Sequence, residues 1–443
     1  MVAFLKLENT EYLGIPYWIV LVAAFVLILG TTILLYPPLL WSFLLWIFIV
    51  SPIWVPMLLI TVFFSQWRAY VRARYIARQT PILLEIKIPR HIQKTPKAMD
   101  LVFSGLNVGP GETTFISRWW EGKVRPWWSL EIVSIEGRIN FYVWAWSQHR
   151  EFVESQFYSQ FPNIEIHEVE DYSQGVRYDP ATTKVWGMEY VLEKADAYPI
   201  KTYVDFELDK ESKKEEQIVD PISGIFEKLS SLGVGEQMWV QIVIRRNKGS
   251  TIDSSLWGSK KSWKNEAAEE IEKIYEKSKP KNKDLVTGEI TEGYPLLKPG
   301  EVNVIKALER SIEKSGFDTG IRAVYLARPD NFKGHKIPTV IVNFWNTFAS
   351  GYLNALEPGD TWHVTFNYPW QDFMGLREAS FSRKILDAYH RRSFFHPPYD
   401  RPRFVFTTEE LATVFHFPTE ETKAPGLQRL SSTKGEPPSN LPT

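Results

Sequence analysis

The sequence predicts an α+β protein: an N-terminal two-helix transmembrane hairpin followed by two ferredoxin-like (βαββαβ-type) units, the second degenerate and carrying a helical insertion. Three observations predict it. Two long apolar runs without charge precede residue 65, a strand-helix order of βαββαβ follows up to residue 180, and part of that order recurs between residues 200 and 420.

The hairpin comes first. Tyr17 to Tyr36, YWIVLVAAFVLILGTTILLY, is twenty uncharged residues, the length a helix needs to cross about 30 Å of hydrocarbon. Leu39 to Phe64 is a second uncharged run. Pro37 and Pro38 lie between them and predict a turn, because each removes an amide donor and restricts the residue before it. Pro52 and Pro56 fall inside the second run, which predicts a bent or partnered helix. The first run is too long for a cleaved signal, its leading segment has one Lys against two Glu, and no small-residue cleavage site precedes the prolines. Beyond the second run, WRAYVRARYIAR places Arg68, Arg72, Arg74 and Arg78 at the membrane edge, whereas the inter-span loop is uncharged. The positive-inside rule then puts both termini and the soluble region in the cytoplasm, in a multi-pass protein of the inner membrane.

In the soluble region, LLEIKIP alternates as a strand and TPKAMDLVFSGLN starts a helix with Thr95 before Pro96. SLEIVSIEGRINFYVWA reads as two strands around Glu136-Gly137, HREFVESQFYSQFP as a helix, and NIEIHEVEDY as a strand. The second unit is predicted to begin with a strand at Lys201–Leu208. A helix opened by Asp220-Pro221, the strand QMWVQIVIR, a helix over Val304–Ser315 capped by Asn303, and the strand IRAVYLAR follow. Residues 247–299 carry the charged helix WKNEAAEEIEKIYEKSK, which predicts a solvated insertion laced by Glu and Lys pairs. Boundaries therefore fall at 1–80 for the hairpin and its basic edge, 81–180 and 200–420 for the two units, and 421–443 for a Pro-rich tail.

Composition excludes several function classes. Formal net charge is −1 over 443 residues, so no global positive field draws the chain to nucleic acid. Arg383, Lys384, Arg391 and Arg392 form only a small basic helix face, and direct nucleic-acid contact is not expected. With no cysteine there is no disulfide framework and no thiolate metal site. No stretch fits the phosphate-cradling GxxxxGK[ST]; GSKKS at Gly258 and STKGE at Ser432 lack its paired glycines. Nor is there an HExxH or a GxSxG, and the pairs Glu409-Glu410 and Glu420-Glu421 are adjacent along the chain rather than opposed. The chain is not expected to be an enzyme, and no catalytic, cofactor-binding or metal-binding residue is assigned.

Interfaces are the remaining candidates. Trp119, Trp120, Trp127 and Trp128 cluster beside Arg118 and Arg125, in a loop that suits a subunit contact or core packing. FTTEELATVFHFP, near the end, has Thr407 and Glu410 at capping-box spacing and an apolar face of Leu411, Val414 and Phe415. That face suits docking of a partner or packing onto the second unit.

Several phrases together carry a resemblance: LVFSGLN, WWSLEIVSIEGRINFYVW, REFVESQFYSQFPNIEIHEVEDY, DPISGIFEKLSSLGVGEQMWVQIVIR, GIRAVYLAR, FVFTTEELATVFHFP and KGEPPSNLPT. From about Leu83 onward the chain resembles the membrane-linked region, a domain of unknown function, that accompanies conjugative-transfer, type IV secretion-like motor ATPases of bacteria with reduced genomes. That region often precedes a P-loop ATPase domain, and this chain stops at NLPT, where the motor would begin. The resemblance implies an anchor and adaptor for a hexameric, HerA-like motor, in DNA or protein translocation, with the motor either encoded separately or lost by truncation. A homo-oligomeric membrane scaffold without a motor is the alternative. The partners implied are the lipid bilayer, a P-loop ATPase and further copies of the chain.

Overall fold

A computed structural model describes residues 24–28, 30–31, 37–89, 94–109, 114–209, 220–249, 262–279, 281–283, 290–333, 337–363, 370–418 and 426–429. Helix α1 (Pro37–Ala77) contains one continuous 41-residue stretch, about 60 Å at 1.5 Å per residue and so about twice the hydrocarbon thickness. It is long and apolar enough to cross a membrane, and none of its apolar window is buried inside the protein, which separates it from a core helix. Pro37 and Pro38 open this helix instead of lying outside it, a position where a missing amide proton costs nothing. Pro52 and Pro56 leave it unbroken. The Phe48 carbonyl that Pro52 cannot reach accepts from Ser51 Oγ at 2.6 Å, so the freed group is satisfied within the helix. Of the other predicted span, residues 24–28 and 30–31 are helical and the rest lies outside the described residues. One candidate spanning helix is therefore established, and the basic segment is its direct continuation.

The body is built on one nine-stranded sheet among the described residues. Its strands are β1 (Pro81–Lys87), β2 (Trp128–Ile135), β3 (Arg138–Trp146), β4 (Glu165–Val169), β5 (Lys184–Leu192), β6 (Glu236–Arg246), β9 (Gly316–Ala327), β10 (Leu356–His363) and β13 (Phe404–Thr407). Short hairpins, β7 (Lys281–Lys283) with β8 (Ile290–Glu292) and β11 (Phe395–His396) with β12 (Tyr399–Asp400), stand apart. The order is β10-β5-β9-β6-β2-β3-β1-β4, with β13 also on β9, and the pairings are antiparallel. The two predicted units are thus halves of one sheet, fused where β2 pairs β6 from Trp128↔Ile244 to Ile135↔Gln237. Both central strands are buried on both faces, which gives the near-continuous apolar runs SLEIVSI and MWVQIVI. The expected turn at Glu136-Gly137 is present, with φ of 52° and 82° at the two residues, the left-handed pair that a two-residue hairpin requires.

Helices α2 (Pro96–Leu106), α4 (Arg150–Gln160), α5 (Ser223–Ser230) and α10 (Thr408–Val414) bury their apolar sides on one face of the sheet with the short α8 (Ile337–Val342). The other face is covered by α9 (Leu376–His390), residues 172–178 and the base of α1 through Tyr75 and Ile76. Helices α6 (Trp263–Ser278) and α7 (Pro299–Glu313) pack on each other in a smaller cluster, and the five-residue α3 (Phe115–Trp119) sits beside α1.

Several expectations need correction. The second half begins at β5, which lies between the two predicted units and falls in neither, and Lys201–Leu208 is turn rather than strand. Its alternation survives because Tyr203 and Leu208 are buried, but Asp205 Oδ2 accepts from Thr202 N at 2.9 Å and folds the segment back on itself. The charged insertion helix is not wholly solvated: Trp263 and Ala267 are buried, and the Trp263 ring fills the space beside Gly316. Helix α7 starts at Pro299, a turn earlier than expected, with Lys298 N donating to Glu301 Oε2 at 2.9 Å, so Asn303 is interior. In the predicted tail, Gly426 O accepts from Ile139 N at 2.7 Å; residues 419–425 and 430–443 lie outside the described residues.

Candidate functional site at the membrane junction

Where α1 leaves its apolar window, its stripe Trp67, Tyr70, Val71, Arg74, Tyr75 and Arg78 follows helical spacing and faces the loop after α3. Helix α3 is short and starts with a reciprocal cap between Thr114 and Ser117. That cap fixes its orientation and leaves Phe115, Ile116 and Trp120 exposed at 69%, 62% and 62%. These side chains join aromatic residues of α1: Phe64 meets Trp119 edge-on at 5.8 Å, Trp67 meets Trp120 edge-on at 6.1 Å, and Phe115 stacks on Trp119 at 5.9 Å. Trp67 Nε1 donates to Trp119 O at 2.9 Å, and the Arg68 guanidinium lies 5.6 Å from the Trp119 ring centre. Aromatic rings with polar edges, beside exposed apolar side chains and the end of an apolar helix, have the chemistry of a membrane-water interface.

One turn further on, the loop is clamped to the helix. Gly122 has φ +69°, and a Cβ there would lie 2.2 Å from Val71 O, so only glycine permits this approach. A cleft of ≈ 450 Å³ opens between them, lined by the α1 stripe together with Trp120, Glu121 and Lys123. Lys123 Nζ pairs with Glu121 at 2.8 Å, and that hydrogen bond raises its pKa. Arg74 and Arg78 are exposed, with no ion pair to a described residue.

Arg72 turns instead toward the body. There Asp318 Oδ2 receives Arg245 Nε at 2.8 Å, with Arg125 Nη1 at 3.3 Å and Arg403 Nε at 3.9 Å. Burial, and then the charges of Arg245, Arg72, Arg125 and Arg403, hold the neighbouring His396 well below its ordinary pKa, so it is neutral at pH 7. At the base of α1, Tyr75 meets Trp146 of β3 edge-on at 6.2 Å, and Ala73, Ile76 and Ala77 line a second cleft with Phe395 and His396.

The four tryptophans divide. Trp119 and Trp120 belong to the junction, whereas Trp127 and Trp128 are buried on opposite faces of the sheet, as neighbours in an extended segment must be. Trp127 and Trp128 are core, not interface. Helix α10 has the predicted capping box, with Thr407 N donating to Glu410 Oε2 at 2.8 Å. Its Leu411, Val414 and Phe415 are fully buried, and Phe415 packs against Phe103 and Phe141. They are core of this chain, so that face is not available to a partner.

The basic face at residues 383–392 also divides, because Arg392 is buried. It pairs with Glu131 and Asp171, and Glu131 also accepts from Tyr172, Gln241 and Ser129. Burial opposes the charges, yet Arg392 is raised well above its ordinary pKa by Glu131, and Asp171 is lowered to about 2 by Arg392. Glu131 belongs to a row of polar residues in register across six strands: Glu85, Tyr142, Glu131, Gln241, Arg322 and Glu189. Sequence reasoning missed this row. Its signal is a charged residue at an inward position of an apolar strand, as in SLEIVSI, GIRAVYLA and WGMEYVL.

Within the row Arg322 Nη2 pairs with Glu189 Oε1 at 3.1 Å and Gln241 Nε2 donates to Glu131 Oε1 at 3.0 Å, while Arg322 Nε and Nη1 and Gln241 Oε1 are buried without a hydrogen-bond partner among the described residues. No group of His, Asp or Glu among the described residues is arranged to hold a metal ion. Compared with family models and with curated proteins, the chain matches none.

Proposed function

We propose that the chain is a membrane anchor and cytoplasmic adaptor for a separately acting, conjugation- or secretion-type P-loop ATPase. The observation that carries this reading is the continuity of α1: one helix passes from an apolar window into a junction clamped by Gly122 and the tryptophan cluster. A platform held in this way fixes the height and orientation of the body relative to the bilayer, which a docked motor requires. The absence of a Walker motif from the sequence supports adaptor rather than engine. Arg68, Arg72, Arg74 and Arg78 support a cytoplasmic body, and the first apolar run supports a second span with both termini on that side. Each half of the sheet has the order fourth-first-third-second strand, β4-β1-β3-β2 and β10-β5-β9-β6, which supports two ferredoxin-like halves joined through their second strands.

Since α10 is buried, docking moves to the surface. Trp370, Phe373, Met374 and Leu376 are exposed large apolar residues at the start of α9. The same group favours a second reading, a homo-oligomeric membrane ring without a motor. Purification of the full chain in detergent from its own cells tests both. Co-elution of a P-loop ATPase, lost on Phe373→Asp, supports the adaptor. A stable ring with no ATPase, by mass photometry, supports the scaffold.

A further inference from the structure

The cleft between α1 and the Trp120–Lys123 loop has two chemistries at two heights. Trp67, Tyr70 and Trp120 lie toward the apolar end of the helix, and Arg74, Arg78 and Lys123 lie further along it. Arg74 is seven residues beyond Trp67, about 10 Å along the axis. Helical side chains tilt toward the N-terminus, which directs Arg74 back toward the aromatic end, while Arg78 follows the last helical residue and lines the far end of the cleft. The headgroup zone of one leaflet is about 5–8 Å thick. A cationic group returning from that distance, as Arg74 does, meets the bilayer at the height of lipid phosphates. Among the described residues Glu121 is the one acidic residue lining the cleft, and it is paired with Lys123.

We propose that this cleft binds the phosphate headgroup of an anionic phospholipid, with Arg74 and Arg78 on the phosphate and Trp67 and Trp120 against the glycerol and upper acyl region. The inference rests on α1 spanning the membrane. A volume of ≈ 450 Å³ suits one headgroup. Two guanidiniums at i and i+4 provide forked donors that match phosphate oxygens. Because neither is exchanging an internal ion pair, binding does not require dismantling the fold. Lys123 contributes charge while held by Glu121, and Gly122 sets the width of the cleft through its contact with Val71. Phosphate is also the chemistry of a free inorganic anion, but such an anion would use only the cationic half of the site.

The test uses the full chain in detergent micelles, with lipid retention read by native mass spectrometry in equimolar phosphatidylglycerol and phosphatidylcholine, and competition by inorganic phosphate. We expect one phosphatidylglycerol retained at least fivefold over phosphatidylcholine, on the order expected for two cationic contacts. Retention should fall about tenfold in Arg74→Gln/Arg78→Gln, stay unchanged in Lys306→Gln on the exposed side of α7, and rise in Glu121→Gln. Equal retention of the two lipids, or full retention in the double variant, would overturn the proposal. Displacement by equimolar inorganic phosphate would assign the site to a free anion and overturn the lipid. Flotation with phosphatidylcholine liposomes reads the span separately: a floating chain without lipid preference loses the cleft but keeps the span, and a chain that stays in the aqueous fraction loses both. Both arginines are exposed, so the melting temperature of the double variant should match that of the parent.

Discussion

Arg392 and Glu131 lie 261 residues apart in the sequence and meet in the interior, with Arg392 Nε 3.0 Å from Glu131 Oε1 and Nη2 3.2 Å from Oε2. The two-pronged contact joins a residue two positions past the end of α9 to the strand at the centre of the sheet. Removing one partner leaves a buried charge uncompensated, so Arg392→Met should cost about 3–5 kcal/mol. Replacing the exposed Arg391 in the same way should cost under about 1 kcal/mol. Denaturant unfolding of both variants in detergent checks the contrast, and equal losses would refute the buried pairing.

Helix α10 gives a second contrast. A carboxylate in place of the fully buried Phe415 has no partner there and removes ring contacts with Phe103 and Phe141. Phe415→Asp should therefore destabilise the fold by at least about 3 kcal/mol. A well-folded variant that had lost only a partner would contradict the packing described above, and circular dichroism with thermal melting distinguishes the outcomes.

Glu410 provides a pH dependence. Burial raises its pKa from 4.5 to about 7, against the opposing hydrogen bonds from Thr407 and Ile200. Between those values the folded chain holds a proton that the unfolded chain has released, so stability falls as pH rises from about 4.5 to about 7. The span corresponds to about 3 kcal/mol at most. His416, raised by Asp220 despite its burial, acts in the same direction: its contribution is present below the ordinary histidine pKa and is lost as pH rises through the raised one. Comparison with Glu410→Gln isolates the carboxyl. The variant's melting temperature should change less between pH 5 and pH 8 than the parent's, and parallel profiles would contradict the shift.

The junction depends on one glycine. Gly122→Ala adds both a left-handed φ penalty, roughly 1–3 kcal/mol, and a backbone clash with Val71 that no rotamer relieves. The variant should separate the loop from α1, seen as faster proteolysis between Trp119 and Arg125 with the sheet still protected. Unchanged cleavage would mean that the clamp is not rigid.

Much of this architecture was legible in the sequence, for identifiable reasons. β1 to β4 and the Glu136-Gly137 turn follow from alternation and turn chemistry, which are local. β5 was missed because KVWGMEYVL carries Gly187 and Glu189, whose reasons are distant: Gly187 is approached by Ile385 and the Ala323 carbonyl, and Glu189 pairs with Arg322 and Arg401. The apolar face of α10 was read correctly as apolar, but whether it meets a partner or the core depends on α2, some 300 residues earlier. The basic residues in and just after the last turns of α1 suggest a membrane edge in the sequence. That two of them line a cleft while Arg72 turns inward is set by the glycine clamp, a tertiary contact that helical periodicity does not contain.

Under the proposed function, α1 spans a bilayer and holds the body on the cytoplasmic side. The chain has no cysteine, so single substitutions report position without background. In sealed inside-out vesicles, Lys273→Cys on the exposed face of α6 should react at once with a membrane-impermeant maleimide. In right-side-out vesicles it should stay silent until detergent is added, and Leu58→Cys in the apolar window should be silent in both. Labelling of Lys273→Cys in intact right-side-out vesicles, or of Leu58→Cys before detergent, would contradict the account.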